Sequence, residues 1–194
     1  QRGGRMKSAS RLRELTAYTP SPDSVRAPTP MRASFSSAGP EGSAMRTVVQ
    51  RVAKASVTVG GREVARIGTG LCCLVGVETG DTLSDIEYTA AKICALRIFD
   101  DPQGRMNLAA ADVRGEILIV SQFTLLGDAR QGRRPSYSRA EPPAEARALI
   151  ERLVEKVGEI HAGRVTTGIF QAEMEVEIHN QGPVTILLDS RKQF

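Results

Sequence analysis

Residues 45–61 read MRTVVQRVAKASVTVGG, and the sheet of this protein begins there. Thr47 to Val52 and Ala55 to Val59 are β-branched and partly alternating, as strands require. Gly60-Gly61 before Glu63 is a hairpin signal, because paired glycines accept the positive φ angles of a tight turn. Leu71 to Val77 is a continuous apolar run flanked by Gly70 and Gly80. It predicts a buried strand, with Cys72 and Cys73 as packing residues.

Two helices interrupt the strands. The first is expected over 82–97, with Thr82 as cap, Asp85 three residues on, and Ile86, Ala90, Ile93 and Leu96 or Arg97 as the buried stripe. The second starts at Pro142-Pro143 and carries Ala146, Leu149, Ile150, Leu153, Val154 and Val157 at helical spacing. Between them Glu116 to Phe123 (EILIVSQF) predicts another buried strand. Residues 173–179 alternate glutamates and His179 with Met174, Val176 and Ile178, a half-buried strand. Asn180-Gln181-Gly182-Pro183 is expected to turn the chain, and Val184 to Leu188 to return as a strand. Clustered strands separated by two helices predict a mixed α+β fold in one domain.

Of the chain's 194 residues, 45–194 form that domain and 1–44 an N-terminal extension. The extension has eight Ser, five Pro, seven basic residues and three acids. It buries too little apolar surface to offset ordering entropy, so flexibility is expected. Met45 is the expected original start. Two readings of the extension stand side by side, an organelle transit segment and an extension without function. The overall charge of +4 lies wholly within it, leaving 19 basic and 19 acidic residues in 45–194. Net charge is therefore no argument that the domain binds nucleic acid. The absence of Trp and an aromatic content of 4% also argue against a surface of stacking platforms. No apolar run approaches the roughly 20 residues that span a bilayer, so no membrane partner is expected. Three cysteines, two of them adjacent, exclude a disulfide framework and a zinc ribbon.

The available chemistry is sparse. There is no Gly-x-Ser-x-Gly elbow, phosphate-binding loop or His-Glu-x-x-His, and no metal or cofactor is expected. His161 and His179 are the only histidines and read as exposed or capping. Three segments are more specific than structure alone requires. Ser121-Gln122-Phe123-Thr124 turns an apolar strand abruptly polar. Residues 127–139 carry Arg130, Arg133, Arg134 and Arg139 against the single acid Asp128, a composition suited to phosphates or to plain solvation. Asn180, Gly182, Pro183 and Thr185 form the third.

Taken in order, SQFTL (121–125), GRRPS (132–136) and NQGPVT (180–185) resemble the D-aminoacyl-tRNA deacylase family, also called D-tyrosyl-tRNA deacylase. MRTVVQRVAKASVTVGG, LRIFDDPQGRMNL (96–108) and GEILIVSQFTL (115–125) carry the same resemblance, which runs through 45–190. It implies a sheet curved towards a barrel, a homodimer, and hydrolysis of the ester that joins a D-amino acid to the 3′ end of tRNA. It also implies that glycine is accepted and L-amino acids are excluded.

Carried over by position, the resemblance implies a cis Gly182-Pro183 that projects into the other subunit's pocket. It implies backbone donors near Phe123-Thr124 for the oxyanion and a substrate-positioning role for Gln122 beside Ser121. Phe170 to Met174 resembles the segment lining the adenosine pocket, with Gln171 in place of a small residue and Tyr137 in place of Phe. Asn180 and Thr185 join the substrate-binding set, and Arg130, Arg133 and Arg134 are candidate tRNA phosphate contacts. Thr124 has no neighbouring base, which favours a hydrogen-bonding role over a nucleophilic one. The implied compartment is the cytoplasm, or an organelle reached through residues 1–44. An alternative on the same fold is a DNA-associated binding protein, which the resemblance ties to relatives with an added C-terminal tail.

Overall fold

β1 (Arg46–Val59) is the axis of the sheet. Gly60 and Gly61, both at positive φ, turn it into β2 (Arg62–Ile67), with Val59 opposite Arg62. β3 (Gly70–Gly76) continues past β2 and pairs antiparallel with the first half of β1, from Arg46↔Gly76 to Val52↔Gly70. The opposite edge of β1 is taken along its length by β8 (Glu175–Asp189). β6 (Glu116–Ser121) lies parallel to β3, and β7 (Val165–Thr167) parallel to β6. β2 reaches across to touch β6 and β7, so the sheet curls into a nearly closed barrel. The structure is a computed structural model and describes residues 44–193, which fall in one compact unit. The expectations for 1–43 lie outside the described residues.

The parallel pairs need crossovers, and the two helices supply them. α1 (Leu83–Ala95) lies between β3 and β6, followed by a small hairpin of β4 (Phe99–Asp100) and β5 (Met106–Leu108). α2 (Pro143–Ile160) lies between β6 and β7. Its stripe of Ala146, Leu149, Ile150, Leu153 and Val157 is buried with Ile86, Ala90 and Ile93 of α1 against one face of the sheet. The other face closes on itself around Val52, Val57, Ile67, Leu118 and Val120. β3 and β6 are buried on both faces, which explains their unbroken apolar runs. Adjacent cysteines thus enter different cores, Cys73 the helical one and Cys72 the barrel interior. The two strands meet so closely at Gly70 that a Cβ there would lie 1.9 Å from the Glu116 carbonyl oxygen.

Three expectations need correction. The strand over 116–123 ends at Ser121, and Phe123–Leu126 forms a short 3₁₀ helix. The Gln122 N–H donates to the Val75 carbonyl (2.7 Å), and the turn then carries Leu126 back into the interior at 1% exposure. Second, 180–183 does not turn the chain back. β8 runs in one direction past it, because its alternating apolar side chains face the interior on either side. A step of two residues on β1, Gln50 to Val52, is matched by five on β8, Asn180 to Thr185, and the surplus bulges out. Third, α1 ends at Ala95, leaving Arg97 exposed beyond it.

A buried acidic cluster joins the two ends of the domain to α1. The Asp85 carboxylate accepts from the Thr82 N–H (2.8 Å) and hydroxyl (2.7 Å), and from the Ser190 hydroxyl (2.7 Å). Arg191 lies 3.1 Å from it. Met45 N–H donates to Ser190 Oγ (3.0 Å), and Ala44 N–H to Glu78 (2.9 Å). Asp81 accepts from the Glu78 N–H through one oxygen (2.8 Å), while the other is buried with no hydrogen-bond partner. Burial, reinforced by Asp85 and Glu78, pushes the Asp81 carboxyl up to about 8. A carboxyl raised on folding contributes stability below its unfolded value that is lost as pH rises through the folded one. Asp81→Asn removes that loss. The expected result is a melting temperature advantage over the parent that grows from about pH 5 to about pH 8 and then levels off. A pH-independent difference in thermal melts contradicts the assignment.

Candidate active site

The end of β6 opens on a hollow of about 640 Å³. Ser121, Gln122 and Phe123 form one wall, placed there because the strand stops where its sequence turns polar. Val75 and Val77 from the end of β3 and Ala146 and Ile150 from α2 form an apolar floor. Tyr137 comes in from the loop after the 3₁₀ helix and meets Phe123 edge-on, ring centroids 5.1 Å apart. Phe170, Gln171, Ala172 and Met174 close the far side. Phe123 and Tyr137 remain exposed at 57% and 39%, large apolar groups at the rim of an open cleft. Apolar walls with a few polar groups suit a small organic moiety.

Phe123 and Thr124 open the 3₁₀ helix. The first N–H groups of a helix have no acceptor within it; Phe123 lines the hollow and Thr124 follows it. The Gln122 amide donates to the Thr124 hydroxyl, fixing both side chains. Among the described residues no histidine, cysteine or lysine lines the hollow. His161 caps α2 but is buried, its ring Nε2 2.9 Å from the Gly115 carbonyl, so the exposed reading fails for it. Its side chain fills the space between α2 and the start of β6. His179 pairs with Glu177 on the outer face of β8. Glu141 lines the hollow, and one oxygen of its carboxylate accepts from the Gly80 N–H (3.1 Å). Burial pushes the Cys72 thiol up to about 12 and Cys94 to about 11, and raises Cys73 as well. None of the three lines the hollow. Among the described residues no cluster of metal-ligating side chains occurs.

The hollow therefore brings together Ser121, Gln122, Phe123, Phe170 and Met174, with Thr124 adjoining. Asn180, Gly182, Pro183 and Thr185 lie on the bulge of β8 and line none of it. Asn180 donates to the Thr185 hydroxyl (3.1 Å), tying the base of the bulge. Between them the Gly182-Pro183 peptide is cis and exposed. Gly182 sits at φ +113°, where a Cβ would come within 2.8 Å of the Arg51 guanidinium and of the Val184 side chain.

Arg51 is the residue that sequence reading missed. It is buried at 7% exposure and donates to the carbonyls of Gln181 (3.3 Å) and Ile98 (2.7 Å), and to Asp100 (3.4 Å). It thereby braces the bulge against β4. The signal was available: an arginine next to Val52 in the middle of a strand needs internal partners if it is buried.

The four arginines of the polar loop differ in kind. Arg130 is locked to Asp128, whose carboxyl it holds well below the usual carboxylate range. Arg139 is paired with the buried Glu78. Arg133 and Arg134 are exposed and make no ion pair among the described residues, beside a loop closed by Asp128 and Ser136.

The family model described as D-Tyr-tRNA(Tyr) deacylase matches residues 48–189. The chain belongs to that family. Proteins named D-aminoacyl-tRNA deacylase from Desulforamulus reducens, Fervidobacterium nodosum and Natranaerobius thermophilus are 56%, 55% and 53% identical to it. Each alignment covers 77% of this chain and all of the relative. Among solved structures, one named c-Myc DNA Unwinding Element Binding Protein superposes with a TM-score of 0.71 at 39% identity, over 74% of this chain and 97% of that one. Another, described as a probable eukaryotic D-amino acid tRNA deacylase, has a TM-score of 0.64 at 19% identity over 75% and 99%, and supports the fold alone.

Arg51→Met keeps the length of the side chain and removes its donors. It is expected to lower stability by about 2–3 kcal/mol, because buried carbonyls lose a charged partner. An unchanged urea midpoint contradicts the bracing role.

Proposed function

We propose that this protein hydrolyses the ester between a D-amino acid, or glycine, and the 3′ end of tRNA, and rejects L-aminoacyl-tRNA. The reading is carried by the match to deacylases along their whole length at 53–56% identity. The hollow supports it: its size and apolar walls suit one nucleoside with an attached amino acid, and Phe123, which opens the 3₁₀ helix, lies on its wall.

The substrate makes up for the missing base. RNA carries a 2′-OH beside the ester-bearing 3′ oxygen, and that hydroxyl assists the proton movements of attack. Water adds to the carbonyl carbon, and the N–H groups of Phe123 and Thr124 stabilise the oxyanion. The bond to the 3′ oxygen then breaks, that oxygen leaves with the electron pair and takes up a proton, and free amino acid and tRNA result. Ser121 and Gln122 hold the ester in place, and Thr124 hydrogen-bonds rather than attacks. Phe170 and Met174 bound the adenosine.

Chirality is judged by a second copy of the chain. The bulge carries Gly182 and Pro183 away from their own hollow and into the partner's, where their carbonyl oxygens receive the substrate α-amino group. An L side chain points into that wall and a D side chain away from it, so exclusion works by clash. Asn180 and Thr185 hold the bulge in position for this. Residues 45–194 constitute the catalytic domain. The place of action is the cytoplasm, or an organelle if residues 1–44 direct it there. None of the described helices is long and apolar enough to cross a membrane. The DNA-binding alternative gains only the name of one similar structure, against a domain of balanced charge.

Matched D-, L- and glycyl-tRNA substrates test the reading. Hydrolysis of the D and glycyl esters with the L ester spared is expected, and indifference to chirality contradicts it. Arg133 and Arg134 are the proposed phosphate contacts of the loop, with Arg130 already committed to Asp128. Replacing both with Ala is expected to weaken tRNA binding and to reduce the slope of log affinity against log salt by about 1–2. An unaltered slope returns the loop to solvation alone.

A further inference from the structure

A second hollow of about 500 Å³ adjoins the first and shares Ser121, Ile150 and Phe170 with it. One face of α2 supplies Arg147, Ile150, Glu151 and Val154, which fall on one side at helical spacing. Residues Thr167 to Ile169, after β7, supply the other side. Gly168 lies between the two hollows. A Cβ there would come within 2.6 Å of the Met174 sulfur, so the missing side chain makes room for a residue that lines the first hollow.

Two charged side chains at this second hollow have no charged partner. Arg147 holds its guanidinium 4.9 Å from the centroid of the Phe170 ring and pairs with no carboxylate among the described residues. Its place over a ring shared by both hollows puts a cation where they meet. Glu151, one turn further along α2, makes no ion pair or hydrogen bond among the described residues, whereas its neighbour Glu155 is engaged by Arg152 (2.8 Å). A free guanidinium and a free carboxylate over an apolar floor match the parts of a nucleotide. Arginine takes a phosphodiester, and a carboxylate accepts from an exocyclic amino group.

We propose that this second hollow holds the nucleotide preceding the terminal adenosine of the tRNA. Arg147 grips the phosphodiester joining the two nucleotides, and Glu151 accepts from the amino group of the penultimate base. The proposal rests on the first hollow being the adenosine site. In tRNA the penultimate nucleotide is cytidine, whose N4 amino group is the donor that a carboxylate requires. Uridine presents an acceptor at the same position.

The test compares D-aminoacyl-tRNA with the 3′-D-aminoacyl ester of adenosine alone, which has no penultimate nucleotide. Arg147→Ala is expected to lower kcat/KM on the tRNA about tenfold, through KM, and to lower it much less on the adenosine ester. A tRNA with uridine in the penultimate position is expected to be cleaved about tenfold less efficiently than the natural one, and Glu151→Gln is expected to remove most of that difference. Equal loss on both substrates shows Arg147 merely steadying Phe170, and overturns the proposal. So does indifference of the wild-type protein to cytidine and uridine. If the wild-type protein cleaves neither substrate, the deacylase reading itself falls, and the proposal with it.

Discussion

β1 is hydrogen-bonded along both edges, to β8 on one side and to β3 and β2 on the other. A strand held this way sets the register of everything beside it, because a slip of one residue turns each neighbouring side chain to the wrong face. β3 takes its register from β1 and passes it to β6, so the point at which β6 stops is fixed relative to Val75. There the Gln122 N–H is captured and the chain folds into the 3₁₀ helix that presents Phe123 and Thr124. On the other edge β8 carries more residues than β1 matches, and the surplus becomes the exposed Gly182-Pro183 bulge. Both halves of the proposed chemistry thus descend from one strand, which also carries the arginine bracing the bulge.

In the proposed mechanism the site works by arrangement more than by reactivity. Among the described residues neither histidine and none of the three thiols lines the hollow, and Glu141, which does, accepts the Gly80 N–H through one oxygen. What remains are backbone donors and fixed positions, which act strongly only on a substrate that brings its own assisting group. An aminoacyl ester of a ribose does so.

Much of this was legible in the residues themselves. The unbroken apolar runs of 71–77 and 116–123 announced buried strands, and the stripe after Pro142-Pro143 announced the helix that covers them. Strand ends were harder to place. The apolar pattern of 116–123 runs on through Phe123, and nothing local distinguishes a Phe on a strand from one at the rim of a cleft. Gly-Pro after an alternating strand reads as a reversal, since both residues favour turns. Only the pairing with β1 makes it a bulge in a continuing strand.

Composition and order alone specified the class of fold, the neutrality of the domain and the motifs that tie the chain to its family. Those properties are local: each depends on residue type and spacing along the chain. Tertiary structure decided which of the marked residues meet. It joined Ser121 and Phe123 to Phe170 and Met174 across nearly fifty residues, committed Arg130 and Arg139 to carboxylates while Arg133 and Arg134 make no ion pair among the described residues, and left Gly182-Pro183 outside the lining of the hollow. Contacts of that kind follow from strand register and helix packing, which a linear pattern constrains without determining.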